Sequence, residues 1–108
     1  MNEADFMNSV ETFAQDTVAP KAAGWDRTGL FDVVALRQAA KLGLLGIETP
    51  IEAGGLGLPF RAKAKAAEIL AASDFGFAMS VINTQNLAYM LATETPHLAE
   101  RYVPDLLT

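Results

Sequence analysis

The sequence predicts an all-α domain, and three observations lead to that prediction. Alanine and leucine supply most of the apolar residues, β-branched runs are few, and apolar residues recur at spacings of three and four. The 108 residues suffice for one domain only. A domain of this size buries roughly 60–65% of its unfolded surface. Because 51% of the residues are hydrophobic, we expect part of the apolar surface to need a partner.

Five helices are predicted, and the first two are bounded by clear signals. The first helix begins in the acidic segment 1–5, is kinked or ended at Pro20, and stops at Gly29. Asp32 is a suitable N-cap for the second helix, which Gly43 ends in the left-handed conformation.

The second half of the chain opens with a loop and continues with three helices. Segment 44–59 is too rich in glycine and proline for a helix or a strand. A third helix follows over 60–72. The fourth, over 75–92, is apolar around most of its circumference and is expected to be buried. Thr95 opens a short fifth helix as N-cap, and Pro104 closes it.

Charge and cysteine content exclude several classes of function. The chain has 8 Lys and Arg against 13 Asp and Glu, a net charge of −5, so no basic run can hold a nucleic acid or an anionic membrane. It has no cysteine, which excludes disulfides, thiolate metal sites and cysteine nucleophiles, and we expect a cytoplasmic location. The apolar stretch 75–92 is interrupted by Ser80 and by the polar run 83–86, so no membrane insertion is expected.

Several residue groups suggest a chemical role, but each has a simpler interpretation. The run 54–57 (GGLG) lacks the lysine and hydroxyl of a P-loop and follows no predicted strand, so a tight turn is expected. His97 has no second imidazole or serine nearby, and neither a catalytic nor a metal-binding role is predicted. Glu48 and Glu52 are interpreted as solvated loop acids rather than as a carboxylate pair. A solvated helix face is expected for three basic residues: Arg61, Lys63 and Lys65.

For two further groups of residues, the sequence suggests a role in packing or hydrogen bonding. Trp25 is interpreted as a packed indole beside a surface pair, Asp26 and Arg27. On the apolar fourth helix, polar side chains must be hydrogen-bonded or must line a cavity. Two alternatives stay open for them, a cavity or interdomain contact and ordinary capping of neighbours. These residues are Ser80, Asn83, Thr84 and Gln85.

The motifs together resemble one family. The run 13–29, FAQDTVAPKAAGWDRTG, resembles the first-helix signature of acyl-CoA dehydrogenases. Five further matches follow in the same order: LGLLGI at 42–47, PIEAGGLGL at 50–58, AAEILA at 66–71, MSV with NT at 79–84, and Thr95 with RYVP at 101–104. Each motif is weak alone, and the order and spacing make the match specific. Departures from the pattern are Ile51, Ala53, Glu94, Leu98 and Ala99.

The resemblance implies that residues 1–108 are the N-terminal helical domain of this fold, ending near the junction to a β-domain that the sequence lacks, as it lacks the C-terminal bundle. In the family, those two parts hold FAD. A glutamate of the C-terminal bundle removes the α-proton of an acyl-CoA thioester, and the β-hydrogen leaves as hydride to the flavin. We therefore expect residues 1–108 alone to be inactive, with no catalytic, cofactor-binding or metal-binding residue.

The resemblance also implies that the fourth helix forms one wall of the acyl pocket. An ungapped register places four residues against the acyl tail: Phe77, Ala78, Val81 and Gln85. A register shifted by two would substitute Met79, Asn83 and Leu87. The bulk of Phe77 would favour a shorter or branched chain. The implied partners are the acyl-CoA substrate, the remaining domains or the other subunits of a homo-oligomer, and an electron-transfer flavoprotein.

Two other functions stay open. A flavin-dependent monooxygenase or an acyl-CoA oxidase of the same fold shares this N-terminal domain, and its distinguishing residues would lie beyond Thr108. Alternatively, the chain is a short non-catalytic helical subunit that completes the pocket of a partner flavoprotein. The second alternative predicts a stable 108-residue polypeptide that co-purifies with a larger flavoprotein.

Overall fold

The N-terminal quarter of the chain is one continuous helical rod that changes type in its middle. In a computed structural model, which describes residues 2–108, α1 spans Glu3–Phe13, a π-helical turn spans Ala14–Val18, and α2 spans Ala19–Thr28. The N–H of Ala19 donates five residues back, to the carbonyl of Ala14. This wider turn directly precedes Pro20, whose ring would clash with the carbonyl of an ordinary α-helical turn. The rod therefore continues through Pro20 and ends at Gly29, with φ 67°.

The remaining helices follow in the predicted order. They are α3 (Val33–Lys41), α4 (Phe60–Ser73), α5 (Phe75–Glu94) and α6 (Pro96–Leu106). Asp32 caps α3, because its Oδ1 accepts from the N–H of Ala35 at 2.9 Å. No strand occurs between residues 2 and 108, so the predicted all-α class is confirmed. None of the helices in this part of the chain is long and apolar enough to cross a lipid bilayer.

The helices form a slab. α4 packs against the rod of α1 and the π-helical turn and also against α5, and α6 lies against α5. The slab measures 41 × 29 × 18 Å. α5 keeps an outward face, on which Phe75, Met79, Leu87 and Met90 are exposed. The prediction that this helix is buried is therefore wrong for one of its faces in the structure of residues 2–108.

The last helix also differs from the prediction. α6 does not close at Pro104 but continues for one further half-turn to Leu106. A proline in a helix removes one hydrogen bond to the carbonyl four residues earlier, here that of Glu100. Both residues are exposed, so water can satisfy this carbonyl and the helix tolerates the loss.

The loop over 44–59 is an ordered part of the core. Leu44, Leu45 and Ile47 are buried. The loop folds back on itself, with the N–H of Leu56 donating to the carbonyl of Gly46 and the N–H of Leu58 to that of Ile47, each at 2.9 Å. The only helical element inside it is a 3₁₀ turn over Ile51–Ala53.

Candidate functional site

The N-terminal end of α5 is fixed by an aromatic cluster. The ring of Phe77 stacks on the indole of Trp25, with centroids 5.2 Å apart, and also meets the ring of Phe13 at 6.0 Å. Asp74 caps the helix, since its Oδ2 accepts from the N–H of Phe77 at 2.8 Å. The packed position predicted for Trp25 is confirmed, and this cluster joins α5 to the N-terminal rod.

The four residues of the first register all point into the domain. Phe77, Ala78, Val81 and Gln85 are at most 4% exposed, and the first three belong to the hydrophobic core. Their contact with an acyl tail stays a prediction. Phe77 also borders a cavity that Trp25 and Phe31 line, whereas the side chains of the other three residues are covered by the rest of the same chain.

The opposite face of α5 is apolar and open. Phe75, Met79, Leu87 and Met90 follow one another at spacings that place them on one side of a helix, and they are between 37% and 68% exposed. Asn83 is exposed in the same stripe. We call these five residues the outer stripe. It contains the three residues of the second register, so a ligand approaching α5 from outside meets Met79, Asn83 and Leu87.

A polar network crosses the inner edge of α5. The side-chain N–H groups of Gln85 donate to Glu48 Oε1 at 3.3 Å and to Asn86 Oδ1 at 2.9 Å, and Gln85 Oε1 accepts from the N–H of Glu48 at 2.7 Å. Lys63 Nζ lies 2.7 Å from Glu48 Oε1 and 3.0 Å from Asn86 Oδ1. All hydrogen-bonding groups of the buried Gln85 amide are thus satisfied.

This network corrects two sequence interpretations. Glu48 is not a solvated acid, and Lys63 is not part of a solvated face, because their side chains are only 9% and 15% exposed and pair with each other. The pair joins residues 15 positions apart, on a loop and on α4, and helical spacing gives no sign of such a contact. Arg61 and Lys65 are exposed as expected, and Arg61 forms a surface ion pair with Glu3 at 3.0 Å.

The sequence left two alternatives for the polar residues of α5: a cavity or interdomain contact, or ordinary capping of neighbours. The hydroxyl of Ser80 donates to the carbonyl of Gly76, and that of Thr84 donates to the carbonyl of Ser80. These are ordinary hydrogen bonds to the helix backbone. Gln85 instead connects α5 to the loop, and Asn83 lies on the outer stripe.

The remaining candidates lie apart from this helix. His97 and Glu52 are exposed, the first in the opening turn of α6 and the second in the 3₁₀ turn. Between residues 2 and 108, no group of three His, Asp or Glu side chains is placed to hold a metal ion.

Two glycines of the 44–59 loop lie where the chain approaches itself closely. A Cβ on Gly55 would overlap the carbonyl oxygen of Thr49, and a Cβ on Gly46 would lie 2.6 Å from the side chain of Leu107. As expected from the sequence, these glycines allow two chain segments to approach closely.

The fold changes the acidity of Asp32. The N–H of Ala35 is the largest influence and holds the pKa of Asp32 below its ordinary value. Partial burial opposes this effect, and the indole of Trp25 at 3.2 Å and the ammonium of Lys21 at 3.7 Å add to the lowering. Asp32 therefore acts as an ionised cap near the aromatic cluster.

Comparison with known proteins identifies the family. The model of the acyl-CoA dehydrogenase N-terminal domain matches residues 2–108. The mitochondrial isovaleryl-CoA dehydrogenase of Arabidopsis thaliana is 33% identical over 110 residues, which cover 98% of this chain and 27% of that protein. The mitochondrial short-chain specific acyl-CoA dehydrogenase of Mus musculus is 36% identical over 81 residues, covering 73% and 20%. The L-evernosamine nitrososynthase of a Micromonospora strain is 56% identical over 41 residues, covering 38% and 10%.

The domain is an all-helical slab, and one face of α5 is apolar and exposed. The match across residues 2–108 makes the identification specific. The chain belongs to the acyl-CoA dehydrogenase family, through the N-terminal helical domain of that family. It spans about a quarter of the length of the isovaleryl-CoA dehydrogenase that it matches.

Proposed function

We propose that this chain is the N-terminal domain of an FAD-dependent enzyme that α,β-desaturates acyl-CoA thioesters. The observation that supports this most is the family match over residues 2–108, together with relatives that are named as acyl-CoA dehydrogenases. FAD would be held by protein outside these residues, as it is in the family that the sequence resembles. On this proposal residues 1–108 alone are inactive.

The contribution of the domain is one wall of the acyl pocket, formed by α5. The exposure of Met79, Asn83 and Leu87 supports the second register, because these side chains are accessible without disturbing the core. Phe77, Ala78, Val81 and Gln85 lie beneath them and hold the helix in place. Apolar side chains on an open helix face suit a fatty tail, and burying such a face is favourable by about 25 cal/mol per Å².

Partners and location follow from the same proposal. The domain would pack against the remaining domains or against other subunits of a homo-oligomer, and the enzyme would pass electrons to an electron-transfer flavoprotein. The cytoplasmic location stays a prediction, while the plant and mouse relatives carry the word mitochondrial in their names.

A second candidate is a flavin-dependent monooxygenase of the same fold. One observation favours it, the 56% identity over 41 residues to a relative that is named as a nitrososynthase. The two activities differ in their co-substrates. A dehydrogenase reduces an artificial electron acceptor with acyl-CoA in the absence of oxygen, whereas a monooxygenase needs oxygen and an external reductant.

An immunoblot of the source cells, with an antibody against residues 1–108, tests whether this sequence is part of a larger enzyme. We expect a band at about four times the mass of this chain, because the match covers 27% of the plant relative. A band at the mass of the 108-residue chain itself would contradict the proposal. It would favour the alternative of a short helical subunit that completes a partner flavoprotein.

A further inference from the structure

The polar network at the inner edge of α5 is a closed ring. It has two donors, the ammonium of Lys63 and the side-chain amide of Gln85, and two acceptors, Glu48 Oε1 and Asn86 Oδ1. Each donor contacts both acceptors. We call these four residues the polar ring. It connects the loop over 44–59, α4 and α5, and one member, Gln85, is completely buried.

The aromatic cluster fixes the first turn of α5, and beyond that turn the two faces of the helix are similarly apolar. The inner face presents Phe77 and Val81, and the outer stripe presents residues of similar apolarity, among them Phe75 and Met79. The helix carries no charged residue before Glu94. Beyond the first turn, apolarity therefore distinguishes the two faces only weakly.

The polar ring does distinguish the two faces. If α5 turned, the Gln85 amide and the backbone N–H of Glu48 would lose their partners. A buried polar group without a partner is costly, so one such residue can select a single helix setting. Lys63 reinforces this selection from α4, where its ammonium also lies 4.7 Å from the ring centre of Phe60.

We propose that the polar ring is a positioning device that sets the rotation of α5 and thereby selects the residues that α5 presents to a ligand. Gln85 is its central positioning residue, and Lys63 acts through it without lying on α5. The part of this inference that concerns the acyl chain rests on the proposed function. With the ring intact, Met79, Asn83 and Leu87 face outward; without it, the inner residues share that exposure.

Cysteine labelling tests this rotation directly, because the 108-residue chain has no cysteine of its own. Met79→Cys and Val81→Cys are prepared in the full 108-residue chain, and the rate of reaction with a maleimide is measured for each. We expect the outer cysteine to react at least about tenfold faster, since the inner one must wait for local opening. With Gln85→Met or Lys63→Met added, we expect the ratio of the two rates to fall at least about threefold.

Arg61→Met is the matched control, because it also removes one positive charge from α4 but lies in the surface ion pair with Glu3. It should leave the ratio of rates unchanged. Circular dichroism checks that each variant keeps its helices. Should Gln85→Met unfold, Lys63→Met decides alone, since methionine keeps nearly the full length of the lysine side chain and removes its ammonium. A ratio that stays unchanged in a folded Lys63→Met variant would overturn the proposal.

The test separates this inference from the proposed function. A fall in the labelling ratio supports the positioning role even if the native protein shows no acyl-CoA dehydrogenase activity. Conversely, an active dehydrogenase with an unchanged labelling ratio keeps the proposed function and removes the positioning role.

Discussion

The indole of Trp25 lies almost parallel to the ring of Phe77, with an angle of 19° between their planes and 5.2 Å between their centroids. This stack connects α2 to the first turn of α5. The indole N–H also donates to Asp32 at 3.2 Å, so the same residue connects to the cap of α3. Three helices that are separate in sequence therefore meet at Trp25.

Replacing Phe77 by alanine should lower the free energy of unfolding strongly. The side chain is buried and packs against two aromatic rings, and truncating a buried phenylalanine costs about 3–5 kcal/mol. Phe75→Ala is the matched control, because Phe75 is two residues away and largely exposed, and it should change the value by less than about 1 kcal/mol. Urea unfolding followed by the single tryptophan measures both, and equal effects would contradict the packing described for Phe77.

The ionised form of Asp32 should stabilise the fold in a pH-dependent way. Because the pKa of Asp32 is lower in the folded chain, this stabilisation is fully present above the ordinary aspartate value of about 3.9. It is lost as the pH falls below that value and through the lower pKa of the folded state. Asp32→Asn keeps a capping oxygen but no charge, so its unfolding free energy should approach that of the unchanged chain in this acidic range.

Asp32→Ala removes the cap as well as the charge and should cost about 0.5–2 kcal/mol at neutral pH. Thermal unfolding of the three chains between pH 2 and pH 7 measures these differences. If the difference in stability between the unchanged chain and Asp32→Asn grew as the pH fell, the predicted direction of the pH effect would be wrong.

Gly55→Ala should destabilise the loop, because the added Cβ would overlap the backbone of Thr49. Forcing an extra carbon into a closely packed site costs about 1–3 kcal/mol. Gly76→Ala is a contrasting control. Gly76 lies in α5 with room for a Cβ, so alanine should stabilise the chain there by about 0.5–1 kcal/mol. Denaturant midpoints provide the comparison, and a neutral Gly55→Ala would contradict the close approach.

The acyl wall is tested in the native polypeptide that carries this sequence. Enlarging an outward residue by Met79→Trp should lower kcat/KM for long acyl-CoA thioesters more than for short ones, because the added ring narrows the space beside α5. A change of about tenfold corresponds to roughly 1.4 kcal/mol in transition-state binding. Leu98→Trp, on the exposed surface of α6, should leave the ratio between chain lengths unchanged.

The same assay distinguishes the two registers on α5. Val81→Ala enlarges the space on the inner side, where the first register places the acyl tail. A shift towards longer substrates in Val81→Ala, with Met79→Trp unchanged, would support the first register and reject the second.

Features that depend on near neighbours in sequence were predictable here. Asp32 caps α3, and Gly29 and Gly43 take positive φ angles where helices end; each follows from a few adjacent residues. Pro20 was harder to predict, because a π-helical turn absorbs its ring. That choice depends on the packing of the whole rod rather than on the proline itself.

Features that depend on distant residues were not predictable. The pairing of Glu48 with Lys63 and Gln85 joins three separate segments, and charge spacing along one helix cannot show it. The exposed face of α5 was missed for a related reason. Its sequence is apolar on both sides, so the pattern of apolar residues does not show which side packs against the rest of the chain.

The most direct test of the proposed function is the response of the flavin in the native polypeptide to acyl-CoA. The protein that carries this sequence is purified from its source cells, and the visible absorbance of its oxidised flavin is followed under nitrogen as acyl-CoA thioesters are added. We predict flavin absorbance that is bleached by acyl-CoA alone, since α,β-desaturation passes two electrons to the cofactor. A flavin that acyl-CoA leaves oxidised, but that an external nicotinamide reductant bleaches, would contradict the dehydrogenase assignment and favour the monooxygenase.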